Sequence, residues 1–201
     1  IREVSHIRDT ANLQLYAQLL SLQAGQELNY SNMAKKICVS HESIRSWTKV
    51  LSEFYFCFTI QPWHKNISRS LIKQPKVYLW DWSCIKDFGA KCENLVASHL
   101  LKAVHWYSDS GLAKLELFYI RTKDQEEVDF LIIKNNKPWL LVEVKSSIKT
   151  SLSKTLIKYH KELKTEHAFQ VGFDGEYISK DIFTLKDPII IPIENLLSQL
   201  I

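Results

Sequence analysis

Four side chains stand where solubility does not require them: Glu93, Asp129, Glu143 and Lys145. Glu143 and Lys145 sit two residues apart in "LLVEVKSS" (140–147). As a strand, that run puts Val142 and Val144 on one face and Glu143 and Lys145 on the other. Asp129 interrupts the apolar "VDFLII". Glu93 shares a helical stripe with Val96, Ala97, Leu100 and Val104, the face that packs inward. A carboxylate there is costly unless it is paired or bound to a metal. Carboxylates brought together repel, and a divalent cation removes the conflict. Mg²⁺ takes oxygen ligands, commonly one or two carboxylates with water completing the shell, and Mn²⁺ can substitute. Such an ion acidifies a bound water and offsets charge on a phosphate. The chemistry would be phosphodiester hydrolysis. Asp129, Glu143 and Glu93 would be the metal ligands, and Lys145 would orient or deprotonate the attacking water. The plainer alternative is a surface ion pair on a half-exposed strand.

The elements that must position these residues follow from periodicity. After Gly89, "CENLVASHLLKAVHW" reads as a helix. "LELFYIRT", "EVDFLIIK" and "PWLLVEVK" read as strands. "LSKTLIKYHKELKTE" reads as a second helix, with the apolar "AFQVGF" and "PIIIPI" after it. Apolar strands with helices around them indicate an α/β or α+β core. The turn between the second and third strands decides the site. A two-residue type I′ turn at Asn135-Asn136 would place Asp129 and Glu143 on opposite faces of the sheet. A shared site therefore requires a three-residue loop over 135–137, or a β-bulge between the turn and Asp129.

Upstream, residues 9–24 read as a helix with Leu13, Tyr16, Leu19 and Leu20 on one stripe, stopped by Gly25. Ser31 can cap a short helix through Ile37, and Ser40 a longer one with Ile44, Trp47, Leu51 and Phe54 on its buried face. Two helices joined by a tight turn, then the aromatic strands "FYFCFTIQPW" and "KVYLWDW", read as a winged helix-turn-helix. Its nucleic-acid face would carry His41, Ser43, Arg45 and Lys49 from the second of these helices. Lys65 and Arg69 would follow from the basic segment "HKNISRSLIKQPK". From Ser31 to Lys76 there are eight basic and two acidic residues, whereas the whole chain carries only +4. That local excess is the footprint expected for a DNA partner.

The chain has 201 residues, 46% of them hydrophobic, enough for two domains with real cores. The boundary is expected near 87–90, with a winged helix over 1–88 and the mixed sheet over 89–201. No apolar run approaches the ~20 residues that span a bilayer, so no membrane partner is expected. Cys38, Cys57, Cys84 and Cys92 form no C-x-x-C pair, which argues against structural zinc and a disulfide framework and for a reducing, cytoplasmic location. The chain starts at Ile1, which suggests a fragment of a longer protein. Oligomeric state is not legible.

Glu93, Asp129 and Glu143-Val144-Lys145 resemble the PD-(D/E)XK restriction-endonuclease-like superfamily. Taken in order, "LNYSNMAKKICVSHESIRSWTKVLSEFYFCF", "QPKVYLWD", "KCENLVASHLL", "FYIRT", "EVDFLI" and "LVEVKSS" resemble the C-terminal region of AAA-type ATPases that carries domain-of-unknown-function family 4143. The resemblance implies a winged helix followed by a restriction-endonuclease-like mixed sheet flanked by helices. It implies Mg²⁺ at the acidic positions and a basic role for Arg121 of "YIRT". It also implies an upstream ATPase module. No G-x-x-x-x-G-K-[ST] occurs here, so ATP would bind only in that module. The competing expectation is a non-catalytic DNA- or protein-binding module that regulates the ATPase. A plain transcription regulator would leave the acids unexplained.

Overall fold

The structure, a computed structural model, describes residues 9–63, 74–122 and 125–201. These fall into two units: 9–60 with 74–94, and 61–63 with 95–201.

In the first unit, helix α1 (Thr10–Ser21) starts at Asp9, whose side chain accepts the Asn12 N–H. It buries Leu13, Tyr16 and Leu20. Helix α2 (Tyr30–Ile37) is capped by Asn29 rather than by Ser31, two residues earlier than expected. Asn and Ser are equally good caps, so the choice falls to where the chain turns out of its extended entry. Helix α3 (His41–Glu53) is capped by Ser40 as expected. Its inner face holds Ile44, Trp47, Thr48 and Leu51. Phe54 is 43% exposed and does not join that face, because the helix has already ended before it. Thr48 is buried without penalty: its hydroxyl donates to Ile44 O at 2.7 Å and pairs with Tyr16 OH at 2.6 Å. Strands β1 (Cys57–Pro62) and β2 (Lys76–Leu79) form an antiparallel ladder from Cys57↔Leu79 to Ile60↔Lys76, and Glu27 adds a bridge to Lys76. Gly25, at φ 78°, donates to Val77 O. That left-handed turn brings the chain from α1 back to the hairpin.

The long helix α4 (Phe88–Asp109) runs across the division, which falls between Asn94 and Leu95. The second unit continues with β3 (Leu115–Arg121), β4 (Glu127–Lys134), β5 (Lys137–Val144), helix α5 (Lys154–Leu163), β6 (His167–Gly172), β7 (Ile189–Pro192) and helix α6 (Ile193–Gln199). The end of β1, Gln61 and Pro62, lies parallel beside Phe118 and Tyr119. From there the strands run β3-β4-β5-β6-β7. β3, β4 and β5 form an antiparallel meander, while β5, β6 and β7 are parallel, with α5 as the crossover between β5 and β6. This is a mixed sheet with flanking helices, an α+β fold. One side of it packs Leu131, Ile133, Leu141 and Ala168 against Leu156 and Tyr159 of α5. Helix α5 ends on Lys164 at φ 53°, the left-handed position where glycine is preferred. Lys164→Gly is expected to raise stability by about 0.5–1 kcal/mol, the strain relieved less the extra freedom glycine gains on unfolding. The urea midpoint would show it, and a lowered midpoint would assign the Lys164 side chain a packing role.

Among the described residues, no helix is long and apolar enough to cross a membrane.

Candidate active site

Asn135 and Asn136 both have positive φ, 50° and 65°, so the β4–β5 turn is the two-residue type I′ turn, pairing Lys134 with Lys137. The three-residue loop does not form. Asn135 is fixed by Lys114, whose main chain it meets at both N–H and C=O. The register is then corrected by a bulge: Ile133 pairs with Pro138, but Ile132 pairs with Leu140, which leaves Trp139 as the extra residue. Downstream, Phe130 pairs with Val142, and the next positions across the ladder are Asp129 and Glu143. A second bulge acts on the other edge of β4. Phe118 faces Leu131 and Ile120 faces Val128, so Asp129 and Phe130 together oppose Tyr119. It re-aims Asp129, whose Oδ2 accepts the Val144 main-chain N–H at 2.7 Å. The carboxylate thus takes a place that a strand carbonyl would otherwise fill.

Glu143 is 7% exposed. Its Oε1 accepts from Lys145 Nζ at 2.8 Å. Its Oε2 is buried and has no hydrogen-bond partner among the described residues. Burial pushes the Glu143 carboxyl above its ordinary range. The bond and charge of Lys145, and the Asp129 main-chain N–H, pull it back only in part, while the nearby Glu127 charge pushes it further up. Lys145 leaves β5 with its N–H on Val171 O, and its side chain is 40% exposed. Arg121 pairs with Glu127 at 3.1 Å. This corner therefore combines two carboxylates, a half-exposed ammonium and a second ion pair.

Glu93 sits in the first unit. Its Oε1 accepts from Lys76 Nζ at 2.9 Å and from Tyr78 OH at 2.8 Å. The neighbouring Asn94, fully buried, accepts the Leu79 N–H and donates to the Leu79 carbonyl. The "EN" pair of α4 thus clasps β2 side chain and main chain together. Among the described residues, no group of three or more His, Cys, Asp or Glu is placed to hold a metal ion.

On α3, Arg45 and Lys49 are exposed. Arg45 lies 5.5 Å from the centre of the Tyr30 ring, and Lys49 reaches Glu53 at 3.8 Å. His41 stands edge-on to Tyr30, and Ser43 is engaged with the Ser40 cap. Lys65 and Arg69 lie outside the described residues.

Sequence reading passed over Gln170, which pairs with Glu143 in the parallel β5–β6 ladder and is completely buried. A lone amide inside the apolar "AFQVGF" was the available signal. It also passed over Glu127, two residues before Asp129 and therefore within reach of the same corner.

Two family models match the chain: domain of unknown function DUF8612 over residues 1–87, and domain of unknown function DUF4143 over residues 88–196. No curated protein and no solved structure matches it.

Proposed function

The chain belongs to the DUF4143 family, and from that premise we propose a metal-dependent nuclease of the PD-(D/E)XK type, acting on nucleic acid through a winged helix in its first unit. The observation that carries this reading is the Glu143 Oε2: a buried carboxylate oxygen without a hydrogen-bond partner among the described residues, on a residue whose ladder position faces Asp129. Unpaired buried polar atoms are few in native proteins and costly, and a bound ion is one of the things that satisfies them. A hard divalent ion fits the donor set, because Mg²⁺ needs only one or two carboxylates when water supplies the rest. Held by Asp129 and Glu143, it would supply positive charge against the phosphate and a more acidic bound water. Lys145 pairs with Oε1, which leaves Oε2 as the oxygen a metal would take. The Lys145 side chain is 40% exposed, so an attacking water or a phosphate oxygen could approach it. Glu93 is engaged by Lys76 and Tyr78 and enters this reading as a structural residue.

The first unit supports the nucleic-acid half of the proposal. α2 and α3 follow each other with only residues 38–40 between them, and β1 and β2 pair antiparallel with Glu27 bridged to Lys76, an order of elements consistent with a winged helix. Arg45 and Lys49, exposed on α3, would contact phosphate. An AAA-type ATPase module upstream would couple nucleotide turnover to this site.

The test is incubation of the chain with supercoiled and single-stranded DNA, with Mg²⁺ and then with Mn²⁺. Cleavage is expected with the ions, and Asp129→Asn is expected to lower it by at least about 100-fold. Asn keeps an acceptor for the Val144 N–H, so the strand pairing survives the change. Binding without cleavage would favour a second reading, a non-catalytic module that regulates a partner ATPase. One observation supports that second reading: Lys145 and Arg121 are each paired with an acid of the same corner.

A further inference from the structure

Gln170 is the one buried amide on β6, a strand whose six residues are all buried. An amide there is tolerated only if its polar atoms are matched. They are, and every partner lies on one short stretch. Nε2 donates to Thr150 Oγ1 at 2.9 Å and to Ser151 O at 3.1 Å, and Oε1 accepts the Ser153 N–H at 2.7 Å. Ser153 in turn caps α5, its hydroxyl accepting the Leu156 N–H. Residues 147–153 are therefore the link from the Glu143–Lys145 end of β5 into α5, and Gln170 holds the far half of it.

Two further residues hold the near half. Asp174 accepts from Ser147 Oγ at 2.7 Å and from the Ile148 N–H at 2.6 Å. At Gly172, a Cβ would overlap the Ile148 main-chain N, so only glycine lets the loop lie down there. Positions 170, 172 and 174 alternate along β6 and its extension, so one face of that strand is the seat of the loop. Gln170 is also the register partner of Glu143 in the parallel ladder. The same residue stands beside the acid and ties down the chain that follows it.

We propose that Gln170 is a positioning residue of the Asp129–Glu143–Lys145 corner: by tying residues 150–153 to β6 next to Glu143, it fixes the end of β5 against the Asp129 carboxylate. Its role in metal binding rests on the nuclease reading above; its role in seating Asp129 on Val144 does not. Outer residues that orient metal ligands are commonly worth 10- to 100-fold in metal affinity.

The test compares the wild-type chain with Gln170→Leu, which removes all three bonds, and Thr150→Val, which removes one of the three together with the Thr150 hydroxyl's bond to the Ser147 carbonyl, at an exposed loop position. Asn195→Ala serves as the control, since it breaks two main-chain bonds to Ile178 elsewhere in the same unit. Two quantities are measured: Mn²⁺ affinity from the EPR signal of free ion, and hydrogen exchange of the Val144 N–H, which reports the Asp129 contact. In Gln170→Leu, Mn²⁺ affinity is expected to fall at least about 10-fold, and Val144 exchange to accelerate by about the same factor. Thr150→Val should move both in the same direction and less, and Asn195→Ala should move neither. A purely structural role would expose the Ser153 N–H and leave Val144 and the Mn²⁺ affinity unchanged, which would overturn the proposal. Should the wild-type chain bind no Mn²⁺ at millimolar concentration, the metal reading fails, and Val144 exchange alone decides the positioning role. Should Gln170→Leu not fold, Thr150→Val decides it on the same two quantities.

Discussion

Glu143→Met is expected to make the chain more stable at neutral pH, by about 1–3 kcal/mol, while abolishing any metal-dependent activity. Glu143 is buried, one of its oxygens has no hydrogen-bond partner among the described residues, and its carboxyl is pushed above the ordinary range chiefly by burial. Methionine has nearly the same length and brings no polar atom, and Lys145, 40% exposed, can turn to water. The pH dependence has a definite sign. Because the folded-state pKa is raised, the folded chain holds a proton that the unfolded chain has already lost, in the window between the two values. Stability from this group therefore falls as pH rises through that window, from the ordinary carboxylate range up to the raised one. Above the window, the ionised carboxylate costs the fold its full penalty, and the gain from methionine is greatest. Below the ordinary carboxylate range both states are protonated and most of the gain disappears. Urea denaturation of both proteins at pH 7 and pH 4 tests this. A loss of stability at pH 7 would make Glu143–Lys145 an ordinary stabilising ion pair and remove the observation on which the nuclease proposal stands.

Lys76→Met is expected to cost about 3–5 kcal/mol, the cost of leaving one partner of a buried ion pair behind. The Lys76 side chain is 3% exposed and the Glu93 side chain 19%. With the ammonium gone, Glu93 keeps the Tyr78 hydroxyl as its side-chain partner among the described residues. The double variant Lys76→Met with Glu93→Met should recover part of the loss, because both charges leave together while the Tyr78 hydroxyl loses its acceptor. The double-mutant cycle, read by chemical denaturation, separates this from lost packing. A loss below about 1 kcal/mol in Lys76→Met would mean that Glu93 does not depend on this lysine, and would return Glu93 to consideration as a metal ligand.

Both predictions turn on contacts that the sequence shows only in part. Helical and strand periodicities are local, because neighbouring residues three and four apart, or two apart, must share a face. For that reason the stripes of Leu13, Tyr16 and Leu20, and of Ile44, Trp47 and Leu51, were legible, as were the strands around Asp129 and Glu143 and the Ser40 cap. The turn at Asn135-Asn136 was legible too, since few residues besides asparagine and glycine accept positive φ in succession. The requirement that some irregularity correct the register could also be derived, because a regular two-residue hairpin would have separated the carboxylates.

Which irregularity forms was decided by packing across strands. The correction was left to Trp139, which is buried and stacked on Phe183, far along the chain. The second bulge, at Asp129 and Phe130, depends on how β3 fits the other edge of β4. Glu93 had the costly inward position that its stripe implied. Its partner, however, is a lysine on β2 seventeen residues earlier, and no periodicity connects the two. Gln170 likewise finds its partners in the loop before α5, seventeen to twenty residues away. By itself, the sequence determined which residues are costly to bury and which elements carry them, because both follow from side-chain chemistry and local geometry. Only the tertiary structure decided which of them meet, because a buried charge or amide is satisfied by whatever the fold brings within about 3 Å of it.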